Sequence, residues 1–204
     1  MIHSFEFQKL DPSERFFILA RAYLEASTVL CEAMLHEKYK PRFTNSRVIL
    51  HLCHHAFELF LKAAIMTRTP PSAAASSRRS PAATATSRRR SRSPINTHSL
   101  YSLYEKYQKI FGDPQFEFSV PFGLEAIPPA ELSPAMAEKY FKELDQRYRY
   151  TLDQSLKTFS GIEGFLPDSF LGQLKDHCRE FDRLIPPINT RAAPPGSSDG
   201  GTLA

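Results

Sequence analysis

The chain has 204 residues, 42% of them hydrophobic, which suits one folded domain with appendages. The net charge of +4 misleads, because residues 67–96 hold seven arginines and no acid. Removing those seven from the 26 basic residues leaves 19 against 22 acidic ones, a balance of −3, so the charge count does not support a basic fold dedicated to nucleic acid.

Asp11-Pro12-Ser13-Glu14 predicts a helix start, with an acidic cap, a proline in the first turn and a glutamate three residues after the cap. Phe16, Leu19, Tyr23, Leu30 and Met34 then share one face and Arg21, Glu25, Thr28 and Glu32 the opposite one, giving an amphipathic helix over 12–37. Pro41 closes the connection and Thr44 or Asn45 caps the next helix, so the two form an antiparallel hairpin.

The second helix, RVILHLCHHAFELFLKAAIM from Arg47 to Met66, is the most informative segment. At about 100° per residue, Arg47, His51, His54, His55, Glu58 and Lys62 fall within one narrow arc. Val48, Ile49, Leu50, Leu52, Cys53, Ala56, Phe57, Leu59, Phe60, Leu61, Ala63 and Ala64 cover most of the remaining surface. A rod this apolar must be surrounded by other helices. Its polar stripe would be costly to bury without partners, so it is expected to face a cleft, a ligand or a second subunit.

Residues 67–96 are rich in Ser, Ala, Thr, Pro and Arg and nearly free of large apolar side chains, and are expected to be disordered. The stretch after Pro186 has a similar composition, so the domain reads as 1–188 interrupted at 67–96, with 189–204 a disordered tail. Asn96-Thr97 is a plausible cap for a helix carrying Leu100, Leu103, Tyr104, Tyr107, Ile110 and Phe111, ended by Gly112. Phe116, Phe118, Val120 and Phe122 alternate with polar residues and Pro121, as in a short edge strand. Ser133-Pro134 predicts a further helix with Met136, Tyr140, Phe141, Leu144 and Tyr148 on one side. Asp168 caps a last one with Phe170, Leu174, Cys178, Phe181 and Ile185 inward, stopped by Pro186-Pro187. The expected class is an all-α, up-and-down bundle of about five helices.

Cys31, Cys53 and Cys178 are odd in number and far apart, unlike a disulfide framework or a CxxC metal site, and read as reduced, packed thiols. The N-terminus lacks the basic-then-apolar layout of a signal peptide, and charged residues interrupt every long apolar run. A cytoplasmic protein with no membrane partner is expected.

Several residues suggest chemistry. Arg47 and His54 lie two helical turns apart, about 10.5 Å along one face, and an Arg/His pair can supply the base and the cation that RNA cleavage needs. The same pair could equally line a polar subunit interface. His51 and His55, one turn apart with Glu58 or His54 nearby, have a spacing that can serve a metal; no second cluster in the sequence completes a four-ligand site, although His98 could approach in space, and a metal-binding helical protein stands as a third reading. Glu58 and Lys62 form an i,i+4 pair in the favoured order, which explains both structurally; Lys62 could alternatively meet a phosphate. The Arg/Ser segment would bind polyanions without sequence preference, or is an unselected insertion. No Gly-rich phosphate loop, nucleophile elbow or paired-carboxylate site points to another enzyme class, and no cofactor is implied.

HHAFELFLKAAIM, a variable loop and THSLYSLYEKY together resemble the paired core of HEPN domains (higher eukaryotes and prokaryotes nucleotide-binding). The matching residues are Ala56, Glu58, Leu61, Lys62 and Ala63, then His98, Leu100 and Leu103, with QRYRY at 146–150 similar to a later family segment. The resemblance implies a helical bundle that often forms a homodimer and binds nucleotide, RNA or a protein partner, with Glu58 and Lys62 near its polar groove; His51, His55 and His98 are the further candidate ligand-binding residues. Some members are metal-independent ribonucleases marked by R-x4-6-H near a late helix, and a toxin-like endoribonuclease using Arg47 and His54 is the alternative reading of this chain. Here Arg147 and Arg149 have no histidine at that spacing, and Arg47 with His54 satisfies it only on the second helix, so a weakly catalytic or non-catalytic module is expected.

Overall fold

The computed structural model describes residues 4–38, 43–68, 97–121, 133, 135–136 and 165–190. It is an all-α bundle. The described helices are α1 (Ser4–Lys9), α2 (Pro12–Leu35), α3 (Phe43–Arg68), α4 (Leu100–Ile110) and α5 (Pro167–Thr190), with a 3-10 turn at Pro114–Phe116. No strand occurs among the described residues.

Helix α2 begins as its sequence predicts: Pro12 occupies the first turn and the Asp11 amide donates to Glu14 Oε2 at 3.0 Å. Its inward stripe is rotated from the expected one. Phe17, Ala20, Leu24, Ser27, Cys31 and Met34 are buried, while Phe16, Leu19, Tyr23 and Leu30 are only partly covered. The cause is that α2 packs against two helices. Phe17 meets the ring of Phe60, Tyr23 meets His55, and Ser27 Oγ donates to Ile49 O at 2.9 Å, so α2 and α3 run antiparallel. On its other flank, Arg21 pairs with Asp182, Thr28 approaches Cys178, and Glu32 pairs with Lys175, placing α5 antiparallel to α2.

Helix α3 is the central rod. Its aromatic side chains anchor the core: Phe60 stacks on Phe181 at 4.3 Å, Phe57 meets Phe181 at 5.1 Å, and Phe118 meets Phe60 at 5.4 Å. The helix starts at Phe43, so Thr44 and Asn45 sit in its first turn rather than at the cap. It also runs past Met66, so the supposed insertion loses its first two residues. Thr67 Oγ1 donates to Ala64 O at 2.7 Å and the Arg68 guanidinium lies 5.3 Å from the Phe111 ring, two contacts that carry the last turn. By length and apolarity Asn45–Arg68 is long enough to cross a membrane, contrary to the sequence reading, but 78% of that window is buried inside the bundle. Other helices cover it where lipid would otherwise be needed.

Three further boundaries differ from expectation. α4 is capped by Ser99, whose hydroxyl accepts from the Ser102 amide at 3.3 Å, while Thr97 Oγ1 accepts from the Ser99 amide at 3.2 Å; His98 is therefore outside the helix. α5 opens with Pro167 at its first position and Asp168 inside the turn. It then continues through Pro186 and Pro187 to Thr190, its inward stripe being Leu174, His177, Phe181, Leu184 and the fully buried Ile188. Burial of Ile188 contributes a core contact to a turn in which two prolines remove backbone bonds.

The alternating segment after the 3-10 turn is extended but is no strand. Phe116, Phe118 and Val120 are buried and Glu117 is exposed, as alternation predicts. Its backbone groups are bound by side chains: Tyr107 Oη donates to Phe116 O (2.7 Å), Tyr104 Oη to Phe118 O (3.1 Å), and Arg183 to Gln115 O (2.6 Å) and Glu117 O (2.8 Å). The Ser119 amide reaches Glu180 Oε1 at 3.5 Å.

The short helix α1 was not foreseen. Of the helix expected from residue 133, the Ser133 cap is described, its Oγ accepting from the Met136 amide at 3.3 Å. The remainder, with Tyr140, Phe141, Leu144, Tyr148 and the QRYRY segment, lies outside the described residues, as do 69–96 and 191–204.

Candidate functional site

Only Gly, Pro and strong local hydrogen-bonders break a helix readily, and α3 has none between Val48 and Met66. The polar stripe is thus presented as one continuous seam. Its members differ greatly in access. Arg47 (7% exposed), His54 (1%), Glu58 (3%) and Lys62 (9%) are buried within the single chain. His51 and His55 are half-buried, their rings near-parallel with centroids 6.1 Å apart.

Glu58 is the hub. Its Oε1 accepts from Lys62 Nζ at 2.6 Å and meets His98 Nδ1 at 2.9 Å; its Oε2 lies 3.7 Å from His55 Nδ1. Burial opposes ionisation of this carboxyl, but interactions with His55 and Lys62, and the charges of Lys62 and His98, together outweigh it and hold the pKa at about 2. Glu58 is therefore a carboxylate, able only to accept. The stripe's outer edge is formed by Tyr23 of α2, whose ring meets His55 edge-on at 4.7 Å. Helical spacing places Tyr23 on one face of α2 but does not signal this contact.

His98 reaches the hub because it precedes α4. Inside a helix it would be committed to a helical face; in the lead-in, its ring folds back onto α3 with its side chain still 68% exposed. Burial disfavours the charge on Arg47, the direction expected of a guanidinium drawn out of water. Burial pushes the Cys31 thiol up to about 11 and that of Cys53 further still, which disfavours the reactive thiolate at both.

His51, His55 and Glu58 do not close on a common point suited to a metal, and among the described residues no three His, Cys, Asp or Glu side chains do. A separate dyad, unanticipated by the sequence, lies on α5. His177 Nδ1 is 3.0 Å from Glu180 Oε2, and its buried ring packs edge-on against Phe57 at 4.8 Å. It braces the extended segment through Glu180. Comparison with family models, with curated proteins and with solved structures gives no match for this chain.

Proposed function

We propose that this chain is an HEPN-like helical module that binds a phosphate-bearing ligand, nucleotide or RNA, at the α3 seam without efficient cleavage. One observation carries the reading. Glu58, Lys62 and His98, three of the residues on which the family resemblance stands, are separated by up to 40 positions yet meet at 2.6 and 2.9 Å. Along the seam one carboxylate is set against Arg47, Lys62 and three histidines of α3, with His98 beside it, a composition that favours anions. The burial of His54 and Arg47 favours binding over catalysis, since a base and an oxyanion-stabilising cation must touch the reacting groups. A homodimer across the same face, in the cytoplasm, belongs to this reading.

Labelled RNA incubated with the purified protein in EDTA tests it. The expected result is retention of RNA or nucleotide with no cleavage. Cleavage that survives chelation and disappears in His54→Ala would replace the reading by a metal-independent endoribonuclease.

A further inference from the structure

Glu58 accepts only, so the His98 nitrogen 2.9 Å away must carry the proton. That contact fixes the tautomer: Nδ1–H points at the carboxylate, and Nε2 lies on the opposite edge of a ring that is 68% exposed. The neutral ring therefore offers water a lone pair at Nε2, which repels phosphate oxygens. The protonated ring offers an N–H donor at the same place, and its charge is matched by a buried carboxylate already ionised. Resting on the binding reading above, we infer that His98 Nε2 is the ligand-facing contact of the seam, and that phosphate binding there is coupled to uptake of a proton by His98.

Titratable groups lie on each of the elements packed around α3. On α3 are Glu58, Lys62 at 2.6 Å from the shared oxygen, and His55 at 3.7 Å from the other one, with Arg47, His51 and His54 further along. α2 contributes Tyr23, against His55. α4 contributes Tyr101 and Glu105, which bond each other at 3.2 Å. α5 places His177 and Glu180 behind Phe57, occupied with one another. Glu58 is shared between Lys62 and His98, so a ligand phosphate at Nε2 adds a second anion beside an imidazole that already donates to one. Its binding favours the protonated imidazole, and protonation favours its binding.

The test uses the full chain with ATP and a short single-stranded RNA as separate probes, titrated at constant ionic strength between about pH 8 and 5.5, where histidines gain charge. Affinity is expected to rise at least tenfold toward the acid end. Arginines of the 67–96 segment do not titrate there, so their non-specific contribution adds no slope. His98→Gln retains a donor toward Glu58 but cannot take up a proton, and should flatten the dependence. His36→Gln should leave the slope intact. The His98 ring resonances should titrate at higher pH with ligand bound than without it. A rise with ATP but not RNA identifies a nucleotide site, and the converse an RNA site. Affinity independent of pH, or a slope that survives in His98→Gln, overturns the coupling while the binding reading stands. Failure of both probes to bind at any pH overturns both. RNA cleavage that strengthens with rising pH and vanishes in His98→Gln would make Nε2 a general base and overturn the inference.

Discussion

At the scale of single residues, Glu58 carries the most consequence. A buried carboxylate with three basic neighbours is stabilising only while ionised. Its pKa is depressed, so its contribution is present above the ordinary carboxylate value of 4.5 and is lost as pH falls from there toward about 2. Denaturation across that interval should show the loss, and Glu58→Gln should remove part of it. Glu58→Ala leaves Lys62 buried beside an empty volume and is expected to cost about 3 kcal/mol at neutral pH, measured in urea. His98→Gln, in contrast, should barely affect stability, because its ring stands largely in water and the amide keeps a donor toward Glu58.

At the scale of elements, the extended segment following α4 shows how a chain can alternate without joining a sheet. Its carbonyls are bound by Tyr104, Tyr107 and Arg183, and its phenylalanines close the core over α3. Burial pushes the Tyr107 phenol upward, so it remains a donor throughout the physiological range. Tyr107→Phe leaves the buried Phe116 carbonyl without its donor and should cost about 1–2 kcal/mol. Arg183→Ala removes two exposed bonds; global stability should fall by about 1 kcal/mol or less, while amide exchange over 115–119 accelerates. Equal acceleration across α3 would show that the segment is not a separate unit. The last turn of α5 likewise makes a core contact through Ile188, beyond Pro186 and Pro187.

For the whole molecule, α3 is enclosed by α2, α4 and α5, and its ring contacts with Phe17, Tyr107, Phe118 and Phe181 tie the bundle into one core. Residues 69–96 hold no large apolar side chain other than Ile95. Replacing them with a short Gly/Ser linker should therefore change stability by no more than about 1 kcal/mol, since loop-closure entropy depends only weakly on length. A thermal melt checks this, and a large drop in Tm would show that the segment contributes to the fold. The same variant should lose salt-sensitive, pH-independent RNA binding and keep the proton-linked component assigned to His98.

The sequence alone determined the helical class, the α2 start at Asp11-Pro12 and the identity of α3 as the central rod with one polar seam. Each of these is a property of spacing along a single helix, where 3.6-residue periodicity and capping chemistry are local. Only the tertiary structure decided which seam residues are reachable, which half of each amphipathic face is sealed, and that Phe116–Val120 is clamped by tyrosines and an arginine instead of a neighbouring strand. These outcomes depend on contacts between elements far apart in the chain: His98 against Glu58, Tyr23 against His55, Arg183 against Glu117. Periodicity gives the direction a side chain leaves its own helix; what it meets there is set by how the helices pack.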